Sequence, residues 1–267
     1  MVKTIITFLF LIGLGVVSAS GAQDDFIRIG TNTTDLIFKV GKNGRLYQSY
    51  LGQKLQNESE FAYLKQGREA YLTHGMEDYF EPAIRVLHND GNPSLLLKYV
   101  SYETKQLQPD VTETVIKLKD DIYPVTVDLH FVSYAKENII KSFTEISHQE
   151  KKPVTLYNYA SSLLHLNSEK YFLTEFAGDW AHEVNMTEQQ LSFGKKVLDT
   201  KLGSRANMFN SPFFLLSLNE NSRENEGEVL FGTIGWTGNF RFTFEVDNEN
   251  KLRILSGINN YASEYSL

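Results

Sequence analysis

The sequence contains no cysteine, which excludes disulfides, zinc–thiolate sites and cysteine nucleophiles together. The local signatures of several common chemistries are missing too. There is no G-x-S-x-G elbow, phosphate-loop lysine motif, dinucleotide glycine fingerprint or H-E-x-x-H. No window of eleven or more residues keeps a helical apolar period, so long amphipathic helices are not expected. Only Ile5–Val17 is apolar enough to interest a membrane, and it falls about five residues short of a spanning helix. Lys3 precedes it and the small residues Ser20-Gly21-Ala22 follow it. The stretch therefore reads as a cleavable signal peptide over residues 1–22, rather than an anchor that stays, and places the chain as secreted or periplasmic.

Removing that leader takes away Lys3 and no acid, moving the formal charge from −7 to −8. A modestly acidic surface argues against nucleic acid and anionic membrane as partners, and suits a neutral ligand such as a sugar. About 245 residues remain, enough to build a core without disulfides. No linker, repeat or low-complexity tract divides them, so residues 23–267 are read as one domain.

What the chain does have is aromatic and β-branched residues in short runs, with 18 phenylalanines and 14 tyrosines. Strands are predicted at Phe26–Thr31, Leu36–Val40, Arg45–Leu51, Ile84–His88, Leu95–Thr104, Val111–Leu118, Val125–Tyr134 and Ile139–His148. Others are predicted at Val154–Leu166, Tyr171–Phe176, Glu183–Leu191, Lys195–Thr200, Phe213–Leu218, Glu228–Trp236, Asn239–Val246 and Leu252–Ile258. Gln53–Lys65 reads as a loop with one helical turn. Asp90-Gly91 between apolar runs is a hairpin signal, and Thr237-Gly238 and Asn248-Glu249-Asn250 are predicted turns. In Asn239–Val246, Phe240, Phe242, Phe244 and Val246 alternate with polar residues, the pattern of a half-buried antiparallel strand. Strands every ten to fifteen residues with turns between them imply an all-β fold, a large two-sheet antiparallel β-sandwich.

Candidate chemistry is sparse. Of the six histidines, His88, His130, His148 and His165 fall within or at the ends of predicted strands, where a hydrogen-bonded structural role is expected rather than metal ligation. The carboxylate groupings near aromatics are Glu77-Asp78 and Glu175, Asp179, Glu183, and surface charge is the plainer account of both. No catalytic residue, metal ligand or cofactor is assigned.

Several ordered segments carry a resemblance. They are Gly75–Ala83, Phe176–Glu183 with its Gly178-Asp179-Trp180, Pro212-Phe213, Gly227-Glu228-Val229, Trp236–Phe240, Glu245-Val246-Asp247 and Gly257-Ile258-Asn259. Together they resemble the N-terminal β-sandwich of family-36 glycoside hydrolases, the α-galactosidases, over roughly Ile27 to Leu267. The resemblance implies a non-catalytic domain that helps shape a sugar pocket and a subunit interface in homo-oligomers. Galactosides or oligosaccharides are then handled through a (β/α)8 barrel carrying both catalytic aspartates. No segment here matches those catalytic motifs, so the chain is expected to end before the barrel and to be inactive alone. In the family, the tryptophan of the Gly-x-Trp segment reaches sugar, which makes Trp180 the substrate-binding candidate and Asp179 a weaker one. The competing account has Trp180 filling the sandwich core, whereas Trp236 is expected to be structural at its turn. A stand-alone carbohydrate-binding or docking module is the alternative function.

Overall fold

The computed structural model describes residues 26–76, 78–261 and 264–267; the expected leader, residues 1–22, and Glu77 lie outside them. Strands in the first half are β1 (Phe26–Gly30), β2 (Thr34–Val40), β3 (Leu46–Gln53), β4 (Arg68–Glu69), β5 (Ile84–Leu87), β6 (Leu97–Gln108), β7 (Val111–Asp120), β8 (Val125–Tyr134) and β9 (Ile139–His148). The second half contributes β10 (Thr155–Tyr159), β11 (Ser162–Asn167), β12 (Tyr171–Asp179), β13 (His182–Leu191) and β14 (Gly194–Asp199). It ends with β15 (Asn210–Leu218), β16 (Val229–Thr233), β17 (Phe240–Val246), β18 (Lys251–Ile258) and β19 (Tyr265–Ser266). A 3-10 turn at Glu58–Tyr63 supplies the helical turn expected in that loop.

The fold is the expected all-β antiparallel sandwich, with its hydrogen bonds grouped into five sheets. Sheet β1-β2-β3-β4 faces sheet β6-β7-β8-β9 across a first core containing Ile27, Phe38, Ile116, Val127 and Phe131, with β5 and β10 closing one side. Sheet β11-β18-β17-β14 faces sheet β13-β12-β15-β16 across a second core of Tyr171, Leu173, Phe214, Leu216 and the β17 aromatics. The alternation in β17 is realised, since Phe240, Phe242, Phe244 and Val246 are all essentially inaccessible. Burying each contributes about 1.5–3 kcal/mol. β18 serves both cores, giving Leu252 and Ile254 to the second and Leu255 to the first.

Three expectations need correction. Val154–Leu166 is two strands, because the backbone changes sheet at Ala160-Ser161. There the Ala160 N–H donates to Ala83, and the Ser161 N–H to Ser256. The turn at Asp90-Gly91 forms, with Gly91 at φ +88° and the His88 N–H donating to Asn92. It joins no hairpin, however, since β5 pairs with β10 and β6 with β7. Likewise Thr237-Gly238 carries the chain across the sandwich from β16, bonded to β15, to β17, bonded to β14 and β18. Alternation reports which face of a strand is buried and says nothing about which strand lies beside it. The Asn248-Glu249-Asn250 turn does close the β17–β18 hairpin, with the Asn250 N–H donating to Asp247.

The two halves meet at a polar joint. The Gln48 side chain on β3 donates to the His165 carbonyl on β11 at 2.7 Å and accepts from the His165 N–H at 2.9 Å. A side-chain amide here makes the pair of bonds that a neighbouring strand would make. Gln48 is 4% exposed, and the chain passing over it must be Gly67, where an added Cβ would sit 1.7 Å from the Gln48 carbonyl oxygen. Replacing Gln48 with Leu strands a buried donor and a buried acceptor, and should cost about 2–4 kcal/mol. Urea unfolding of Gln48→Leu checks this, and a loss below about 1 kcal/mol contradicts it.

Candidate functional site

Among the described residues, two places join a residue singled out from the sequence to geometry that could meet a ligand. The first is the β12–β13 hairpin. Trp180 and Ala181 form its two-residue tip, and Trp180 is 86% exposed. The core-filling account of Trp180 is therefore overturned. Asp179 accepts the Trp180 backbone N–H at 2.7 Å, which spends one of its oxygens on the turn. An exposed indole beside a carboxylate offers an apolar face and a hydrogen-bond acceptor.

The other acids of this region do not converge on the tip. Glu175 points across to β14, where it accepts from Lys196 at 2.8 Å and, on the same oxygen, from Gln189 at 3.3 Å. Glu183 lies exposed on β13. The grouping of Glu175, Asp179 and Glu183 read from the sequence thus does not form a carboxylate pair of the kind glycoside hydrolysis requires.

The second place is a cleft of about 340 Å³ at the polar joint, lined by Arg45, Tyr47, Arg68, Glu69, Asp78 and Tyr79 among others. Asp78 lies in it because Arg253 on β18 holds the carboxylate with both guanidinium nitrogens, at 3.2 and 3.5 Å. Arg253 is 1% exposed and its guanidinium lies 4.4 Å above the Phe80 ring. Arg68 is bound by Asp247 at 2.7 Å and Glu249 at 3.0 Å, while Arg45 meets Glu69 at 3.4 Å. Tyr79 stands at the mouth, 96% exposed. Glu69 and Asp78 share the cleft, and each has an arginine as its partner.

Sequence reading passed over most of these residues. Arg253 carried the one usable signal, a charge in the middle of an apolar strand on the same face as Leu255. Such a residue must find a buried partner. The four histidines of the predicted strands are structural. His88 bridges Glu150 at 2.6 Å and the Ser94 carbonyl at 2.9 Å, and the His165 ring donates to the Glu69 carbonyl at 2.9 Å. His130 stacks on Phe143 with its Nδ1 3.2 Å from Glu113, and the His148 ring accepts the Glu150 N–H at 3.2 Å.

Burial of Glu69 outweighs the attraction of Arg45 and pushes its carboxyl from 4.5 up to about 7. Burial likewise pushes the His165 imidazole from 6.5 down to about 4. The folded chain holds the Glu69 proton where the unfolded chain has lost it, so that contribution to stability falls as pH rises from 4.5 to 7. The folded chain refuses the His165 proton that the unfolded chain binds, so that contribution is lost as pH falls from 6.5 to 4. Between about pH 4.5 and 6.5 the two oppose each other. Glu69→Gln should leave the His165 dependence alone, with stability falling on acidification below pH 6.5. His165→Gln should leave the Glu69 dependence, with stability falling as pH rises towards 7. Each change should be on the order of 2–3 kcal/mol across its window, measured by denaturant unfolding at fixed pH. Flat profiles in both variants contradict the assignment.

Comparison with known proteins places this geometry. The profile of the Glycosyl hydrolase family 36 N-terminal domain matches residues 40–267. Alpha-galactosidase 2 of Pediococcus pentosaceus is 27% identical over 74% of this chain, and Probable alpha-galactosidase G of Aspergillus terreus is 25% identical over 71%. The matched parts are 29% and 28% of those two proteins, so the chain spans less than a third of their length. The α-galactosidase from Lactobacillus brevis superimposes with a TM-score of 0.81 at 23% identity, over 91% of this chain and 37% of that one. A variant of the family-36 α-galactosidase AgaA from Geobacillus stearothermophilus, solved with raffinose, gives 0.83 at 19% identity over 91% and 38%. At these identities the structural likeness shows the fold.

Proposed function

Because the chain belongs to the glycosyl hydrolase family 36 N-terminal domain family, we propose that it serves as the non-catalytic sandwich of an α-galactosidase, lending Trp180 to the recognition of terminal α-galactosyl groups. The observation that carries this reading is the exposure of the Trp180 indole at a hairpin tip instead of in either core. Its apolar face suits the flat C–H surface of a pyranose, and Asp179 stands next to it to meet a hydroxyl. In the proposed assembly the bond-breaking carboxylates come from a catalytic barrel, with retention of configuration and no metal or cofactor. The substrates are galactosides of the raffinose type, as bound by the AgaA variants solved with raffinose and with stachyose. Export through the leader at residues 1–22 and a homo-oligomeric whole enzyme belong to the same proposal.

A docking role draws on a separate observation. The outer face of sheet β13-β12-β15-β16 exposes Met186, Val229 and Phe231 beside Phe176 and Phe213, with neighbouring phenylalanine rings 4.8 and 6.0 Å apart. Such a face fits a module that packs on a separately made barrel. Loss of that complex in Phe231→Glu would support it, and an unchanged complex would exclude this face.

Purified chain should show no turnover of a nitrophenyl α-galactoside, and measurable turnover that survives further purification contradicts the non-catalytic reading. One stacked ring with a few hydrogen bonds should bind methyl α-galactoside with a Kd of about 1 mM, near −4 kcal/mol. Titration followed by the indole N–H resonance should show saturable shifts that disappear in Trp180→Ala. Equal shifts in parent and variant, read at Trp236, would contradict the assignment of the contact to Trp180.

A further inference from the structure

The hairpin that presents Trp180 is irregular in a specific way. Ala177 pairs with Asn185 and Asp179 pairs with His182, so Gly178 alone faces the two residues Glu183 and Val184. That is a β-bulge on β13, two to three residues beyond the tip. It is held in a costly backbone conformation, since Val184 lies at φ +56° and Ala181 at φ +63°. A β-branched residue in the left-handed region is an outlier that persists only where its surroundings impose it.

Gly178 is what leaves room for it. A Cβ at this position would lie 3.0 Å from the Val184 nitrogen, 3.1 Å from the Glu183 Cα and 3.1 Å from the His182 carbonyl oxygen. All three are backbone atoms, so they cannot yield as the end of a flexible side chain can. On the other side, the Gly178 N–H donates to the Phe209 carbonyl at 2.9 Å. The pairing of β12 with β15 also shifts here, between Glu175 and Ala177. Gly178 is thus pinned to one neighbouring strand's approach while the other strand bulges into the space its missing side chain leaves. Bulges bend the strand that carries them and re-aim the side chains beyond.

We propose that Gly178 is a positioning residue, whose bare backbone lets β13 bulge at Val184 and so sets the direction in which the tip presents Trp180. The inference rests on the reading of Trp180 as a sugar contact only for its functional consequence. Its structural consequence stands alone. A side chain at 178 must push the Glu183–Val184 backbone away by a few tenths of an ångström and disturb the ladder there, while leaving both cores untouched.

The test uses the full chain, with methyl α-galactoside as the probe. In Gly178→Ala, cross-strand contacts between Ala177 and Asn185 in nuclear Overhauser spectra should weaken, and the Trp180 indole N–H resonance should move. The melting temperature should stay within about 3 °C of the parent, as expected where no core contact changes. Sugar affinity should fall at least about tenfold. Val184→Gly, which keeps the bulge and removes its strain, should retain both the contacts and the binding. An Ala177–Asn185 pairing that is intact in Gly178→Ala overturns the inference, whatever the sugar does. Disturbed pairing with undiminished affinity overturns its functional half. Binding unaffected by Trp180→Ala would instead refute the sugar contact itself, and the pairing readout would still decide the role of Gly178.

Discussion

The structure depends on how two separate hydrophobic cores are made to behave as one body. Sheet β11-β18-β17-β14 stands between them, and its face towards the first half carries Arg253 and His165 as well as leucines. Those polar groups are taken out of water, which is affordable only because each has a fixed partner. Gln48 closes the His165 backbone, Asp78 and the Phe80 ring hold Arg253, and the Glu69 carbonyl takes the His165 ring proton. A buried charge left without such a partner costs more than any one apolar contact returns. The joint therefore ties the register between the halves to specific polar partners, which leucine on leucine would not supply.

The same constraint explains where ligand-facing geometry is found. With β11 and β18 committed to the joint, the Gly75–Ala83 segment has to bring Asp78 inward to Arg253, and this leaves Tyr79 exposed at the mouth of a cleft. With β12 and β15 committed to the second core, the β12–β13 hairpin runs on beyond it and exposes its tip. Neither place gathers two free carboxyl groups. That is in keeping with the glycosyl hydrolase family 36 N-terminal domain family to which the chain belongs, and with the proposed role of lending recognition to a catalytic barrel.

Much of this was legible in the sequence, for physical reasons that differ between elements. β8 and β9 were read at their true boundaries because apolar–polar alternation and turn residues agree there. The burial of Phe240, Phe242, Phe244 and Val246 followed from period two alone. Sheet membership was not legible, since the crossovers at Ala160-Ser161 and Thr237-Gly238 look locally like any strand continuation or turn. β19, two residues long, carries too little pattern to be seen. Glu69, Gln48 and His165 were invisible as a group because they meet only through tertiary pairing, over a separation of 117 residues in the case of Gln48 and His165. Trp180 was singled out by the resemblance alone, and only the fold shows that it leaves the core.

Native-state hydrogen exchange at the His165 amide tests the central claim most directly. If the Gln48 carbonyl and amide knit the two cores into one cooperative unit, this N–H should exchange only through global unfolding, as slowly as the amides of β17 and β8. Exchange at His165 much faster than at both of those strands would show that the joint opens on its own, and that the halves are two bodies lying side by side.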